Sequence, residues 1–153
     1  MIRGNKYMIK WKNSSDSEGT FESRFFQNEG DDPELEIYVE KPLPEYYDHA
    51  ERCAAALNSL PQDSIEKICK GILGSAKKND HSGSPLSDIK EPADILRYCW
   101  FTAVYDVYKT RDDSSLIYIV EGEGDWGENI GFVMDGSRLL YVGAEYFEFC
   151  DIL

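Results

Sequence analysis

ELEIYVEKPLPEYYDHAERCAAALNSL, residues 34–60, contains the change of rhythm that decides the fold. Over Glu34–Glu40, Leu35, Ile37 and Val39 alternate with Glu34, Glu36, Tyr38 and Glu40, which is the period of a strand with one wet face. From Pro44 to Ser59 the apolar residues Tyr46, Ala50, Cys53 or Ala54, and Leu57 recur every three to four positions, and the alanine run favours helix. Pro44 suits the first helical turn, where its missing N–H has no intrahelical partner to lose.

Working towards the N-terminus, Lys6–Trp11 and Thr20–Phe26 also read as extended. Asn13–Gly19 and Asn28–Pro33 between the strands are rich in Asn, Ser, Asp and Gly, whose side chains and backbone freedom make turns. An antiparallel meander is the simplest arrangement. Towards the C-terminus a second helix spans Pro61 to about Lys78, with Ile65, Ile68, Cys69, Ile72 and Ala76 on one stripe. Glu66 and Lys70 pair at i,i+4, Asp63 sits at the positive end, and Lys77 and Lys78 at the negative end. Asn79–Ser87 reads as a polar loop. Residues 93–99 are open between helix and strand, and Trp100–Tyr108 is strand by its aromatic and β-branched content. Leu116–Glu123, Asn129–Met134 and Arg138–Val142 complete a second meander, with Asp135-Gly136 as a turn. The expected fold is α+β: an antiparallel, meander-type sheet covered on one face by a two-helix hairpin, in a single domain over 1–153.

The chain's 153 residues, 42% hydrophobic and 13% aromatic, suffice for a continuous core and exclude wholesale disorder. The net charge of −13 opposes binding to nucleic acid or anionic lipid and favours a basic partner. Acid is concentrated in residues 12–48 and 111–153. The first residues are interrupted by Lys6, Lys10 and Lys12 and lack the apolar run of a signal peptide or membrane span, so the expected location is cytoplasmic. Cys53, Cys69, Cys99 and Cys150 form no CxxC pair and are expected as reduced, buried thiols.

The sequence has no phosphate-binding glycine loop, HExxH, GxSxG or cysteine knuckle, and calls for no cofactor and no catalytic residue. His81 in the polar loop reads as a solvated imidazole. His49 and Cys53 share a helical face one turn apart, and with Cys69 they could form a metal triad or a Cys–His pair. The preferred reading packs both cysteines between helix and sheet, with His49 at the edge. In VEGEGDWGENIG, an extended Val120–Asp125 would project Glu121, Glu123 and Asp125 to one side, with Glu128 nearby. Such a row could hold a hard cation or meet Lys and Arg across an interface, and it does not match an EF-hand. Trp126, flanked by glycines, is expected to tuck over the sheet edge. Tyr46-Tyr47 and Tyr146–Phe149, beside Glu45, Asp48, Glu145 and Glu148, are candidate aromatic anchors.

Asp125-Trp126-Gly127-Glu128-Asn129-Ile130-Gly131, with Phe132-Val133, Asp135-Gly136 and Leu140-Tyr141-Val142-Gly143, resembles a family of uncharacterised bacterial domains with a C-terminal Asp-Trp, Glu, Gly and Asp-Gly pattern. Related groups are immunity proteins encoded beside polymorphic or contact-dependent toxins. The likeness covers roughly residues 95–143, and the histidine the family carries between that Glu and Gly is replaced here by Asn129-Ile130. The resemblance implies a non-enzymatic immunity protein whose acidic surface covers a basic toxin domain. Glu121, Glu123, Asp125, Trp126, Glu128, Tyr46 and Tyr47 are the expected contact residues, and reversing the three strand acids should leave the fold intact. The alternative is a small metal-dependent module using the acidic row or the His49/Cys53/Cys69 set.

Overall fold

The computed structural model describes residues 8–13, 16–79, 89–108 and 114–153. They form one seven-stranded sheet whose spatial order follows the chain: β1 (Lys10–Trp11), β2 (Glu18–Glu22), β3 (Glu34–Tyr38), β4 (Cys99–Asp106), β5 (Ile117–Gly124), β6 (Asn129–Asp135) and β7 (Arg138–Gly143). Helices α1 (Pro44–Leu57) and α2 (Gln62–Asn79) lie between β3 and β4, and α3 (Tyr146–Asp151) follows β7. No helix among the described residues is long and apolar enough to cross a membrane.

The sheet is not the wholly antiparallel meander expected. Strands β3 and β4 run parallel, with Glu36, Ile37 and Tyr38 opposite Ala103, Val104 and Tyr105. A tight hairpin can only reverse the chain, whereas a long crossover returns it to the starting end of the sheet. Here the helices supply that crossover, so the meanders before and after them meet in parallel.

Alternation gives the sheet two distinct faces. Phe21, Leu35, Ile37, Phe101, Val104, Tyr118, Val120, Phe132 and Met134 point to the larger core. Helix α1 adds Tyr46, Ala50, Cys53, Ala54 and Leu57 to that core, and α2 adds Ile65, Ile68, Cys69, Ile72 and Ala76. Helix α1 approaches β4, whereas α2 approaches β6, β7 and the 3-10 turn Pro92–Arg97. On the opposite face a smaller cluster joins Ile117, Ile119 and Val133 to Tyr146 and Cys150 of α3.

Several boundaries depart from the local pattern. The chain leaves β2 at Glu22, yet Phe26 is fully buried between Phe101 and Phe132, at ring distances of 5.3 and 4.9 Å. Residues 93–99 resolve into the end of the 3-10 turn and the start of β4. Helix α3 forms where Tyr146–Phe149 were expected only as candidate aromatic anchors, because six residues are too few for a helical period to show. Two glycines make the packing possible. A Cβ at Gly122 would lie 2.1 Å from the Trp100 carbonyl oxygen, beside the bulge between Phe101 and Ala103, and one at Gly131 would strike the Tyr146 ring. His81 and most of the polar loop, like Lys6 and Tyr7 of the first expected strand, fall outside the described residues.

Candidate functional site

Two groups of polar side chains stand out, one on each face of the sheet. On the outer face the register places Glu18, Glu22, Glu34, Glu36, Glu121 and Glu123 across β2, β3 and β5. Glu22 lies directly opposite Glu34, a like-charge pairing that costs a sheet stability. Basic side chains appear at the β1 end: Lys10 is opposite Thr20, and the Lys12 ammonium meets Glu18 at 2.9 Å. That carboxylate's hydrogen bond and charge raise the lysine's pKa.

Aromatic rings cross this acidic face. Tyr38 stacks on Tyr105 at 5.2 Å, and Phe147 of α3, itself exposed, meets Tyr105 edge-on at 5.0 Å. Glu121 accepts hydrogen bonds from the hydroxyls of Tyr105 at 3.1 Å and Tyr146 at 2.9 Å. Burial, then the Glu121 charge, pushes the Tyr105 phenol up to about 12. Burial and the bond to Glu121 also raise Tyr146, and the Glu36 carboxylate that accepts from Tyr38 raises that phenol. The result is a positioned set of rings with their polar ends tied to acids.

Only part of the predicted contact set lies here. Glu121 and Glu123 share the outer face as the strand period required, but Glu121 is half-buried and ties two tyrosines in place. Reversing it would therefore disturb local packing, contrary to the expectation that the whole row is replaceable. Asp125 lies beyond the end of β5; its N–H donates to the Tyr98 carbonyl, and it lines a cleft with Phe25 and Asn28. Trp126 is half-buried, folds back over Gly124 and packs against the helix-side core, as the flanking glycines suggested. Glu128 is exposed in the same turn. Tyr46 is buried against Tyr108, and Tyr47 packs on Trp11 while donating to the Asp16 carbonyl at 2.7 Å. These tyrosines belong to the helix-side core. Tyr38, Tyr105 and the β2–β3 glutamates were not singled out, although the wet face of residues 34–40 was the available signal.

On the inner face, His49 and Asp106 are fully buried, and their Nδ1 and Oδ1 atoms are 2.5 Å apart. The other ring nitrogen lies 2.8 Å from the Ser115 carbonyl; a carbonyl only accepts, so Nε2 carries the hydrogen. Cys53 Sγ is 3.7 Å from Nδ1. Asp106 Oδ2 is buried and makes no hydrogen bond of ordinary geometry among the described residues, while the Cys53 thiol interacts with the same carboxyl and opposes its rise. Burial opposes charge on the imidazole but is outweighed by Asp106, so His49 is raised; burial likewise raises Asp106 against the pull of His49. Their hydrogen-bond separation places one proton between Nδ1 and Oδ1.

The expected partner Cys69 is not in this group. It lies near Cys99, and burial pushes these two thiols up to about 11 and about 12. All four cysteines are buried and reduced. His49 is thus in the core rather than at its edge. Asp106, the third member of its cluster, was missed because nothing local marks one acid at the end of an apolar strand.

The architecture defines an α+β domain with a wet acidic sheet face and a buried His–Asp–Cys group. The chain belongs to a domain family of unknown function, DUF6985, which matches residues 4–149. The match extends well beyond residues 95–143, which carry the C-terminal Asp-Trp, Glu, Gly and Asp-Gly pattern. The family description names no activity, so membership carries neither an immunity role nor a bacterial origin. No curated protein and no solved structure matches the chain.

Proposed function

We propose that this chain is a non-enzymatic binding protein of the immunity type, whose outer sheet face covers a basic surface on a cognate toxin domain. In this reading α1 and α2 form the supporting cover on the opposite face, and no cofactor takes part. The observation that carries it is the join of β3 to β4, which sets Glu36 and Tyr38 beside Tyr105 and Glu121 and merges two acidic strand groups into one surface. Complementary charge speeds encounter with a basic partner, while half-buried aromatic rings supply contact area that slows release. The opposed Glu22 and Glu34 support the reading, since a face shaped for the isolated fold gains nothing from that pairing.

The test is tagged-protein capture from the native host at low salt, followed by binding kinetics with whatever basic domain is retained. The triple variant E34K/E36K/E123K should lower the association rate about tenfold or more, within the range of electrostatic steering, while far-UV circular dichroism is unchanged. Equal association rates at low salt for variant and wild type would remove this face as the binding surface.

A further inference from the structure

We propose that His49, Cys53 and Asp106 form a buried binding site for one Zn²⁺ ion. The inference does not depend on the partner-binding reading and fails separately from it.

One ligand atom from each of the three side chains lies within 4.8 Å of the others, and all three residues are buried. Their chemistry suits a borderline d-block ion: one imidazole nitrogen, one sulfur and one carboxylate, whereas Ca²⁺ and Mg²⁺ prefer oxygen alone. The 3.7 Å separation of Nδ1 and Sγ is close to the edge of a tetrahedron built from Zn–N of about 2.0 Å and Zn–S of about 2.3 Å. Nδ1 and Oδ1, now at hydrogen-bond distance, would have to separate by under about 1 Å to admit the ion on the same bond lengths.

Two features set this group apart from an ordinary buried hydrogen bond. The Ser115 carbonyl takes the Nε2 hydrogen, which is how a metal-binding histidine is usually oriented, and it directs Nδ1 at Cys53 and Asp106. Asp106 Oδ2 is buried and makes no hydrogen bond among the described residues, and a buried carboxylate oxygen left unpaired is costly. Zinc held by both oxygens of the Asp106 carboxylate would satisfy it.

The charges and protons balance. Binding displaces the proton shared by Nδ1 and Oδ1 and the thiol proton of Cys53, so Zn²⁺ meets one carboxylate, one thiolate and a neutral imidazole. The filled site has no net charge, the condition under which a fully buried ion is tolerated. Because His49 and Cys53 are one turn apart on α1 while Asp106 ends β4, the ion would fasten the helix to the sheet. Its capture would be coupled to folding.

The full chain, expressed and purified without chelator, should contain about one zinc per molecule by elemental analysis. Refolded metal-free protein should release about two protons per Zn²⁺ bound and melt at higher temperature with Zn²⁺ than without. Co²⁺ in place of Zn²⁺ should give a thiolate-to-cobalt charge-transfer band that disappears in C53S, with circular dichroism verifying that the variant folds. If C53S does not fold, the wild-type zinc content, proton release and melting shift decide. Zinc-free wild-type protein with no melting shift and no cobalt band would overturn the site. So would zinc held equally by folded C53S, which would place the metal elsewhere.

Discussion

Asp106 and Glu121 are carboxylates on neighbouring strands facing opposite sides of one sheet, and their surroundings give them opposite characters. Asp106 is enclosed with His49 and Cys53, and one of its oxygens makes no hydrogen bond among the described residues. Glu121 is half-buried, accepts from two tyrosine hydroxyls and opens onto a field of other acids. Period-two alternation decides which side each occupies, and the covering elements decide what that side does with its charge. An inward acid needs specific partners because the low-dielectric core magnifies an unpaired charge, whereas water screens an outward one.

The largest effect should come from breaking the inner arrangement. Asp106→Ala leaves the buried imidazole without its carboxylate and should destabilise the fold by about 3–5 kcal/mol, the range for removing one member of a buried pair. Equilibrium urea unfolding measures it. A loss below about 1 kcal/mol, the scale of a surface pair, would mean that inner and outer acids do not differ as described.

An intermediate effect is expected where the faces meet at α3. Glu121→Gln keeps the shape but removes the charge that Tyr105 and Tyr146 hydrogen-bond to, at a cost of about 1–2 kcal/mol. Phenols raised in the folded state hold their protons more tightly there than when unfolded. Their contribution is therefore complete below about pH 10 and drains as the pH climbs through the Tyr105 value of about 12. The variant should show earlier phenolate absorbance on alkaline titration and a shallower fall of stability above pH 10. An unchanged titration curve would separate these phenols from Glu121.

The smallest effect, and the one with the sign that sharpens the contrast, is Glu34→Lys. It replaces a like-charge pairing with Glu22 by an opposite one and should raise stability by about 0.2–1 kcal/mol in thermal unfolding. A stabilised variant that binds a basic partner more slowly would mean the acid on this face serves binding at the expense of the isolated fold. Unchanged or lower stability would show that water already screens the pair.

Parts of both faces were legible along the chain. The alternation of Leu35 and Ile37 with Glu34 and Glu36 appears as written, and the α1 stripe through Tyr46, Ala50, Cys53 and Leu57 is buried. Glu121 and Glu123 share a side because a strand's period is two. Tyr46, expected as a surface anchor, is buried, and Tyr47 is half-buried on Trp11, because an amphipathic aromatic serves equally well at a core margin and only the packing of α1 against the core distinguishes these uses. Cys69 was grouped with His49 because both lie on consecutive helices; α2 instead carries it to the β4 end beside Cys99.

By itself the sequence determined the periods, most of the elements they build, the abundance of acid, and the one-turn spacing of His49 and Cys53. These are properties of near neighbours in the chain, and helix and strand geometry convert them directly into faces. Tertiary structure alone decided that β3 lies parallel to β4, that Tyr38 stacks on Tyr105, and that Asp106 closes on a histidine 57 residues earlier. Strand order and such distant pairings depend on how the whole core packs and which loops can close, and no local pattern records that balance.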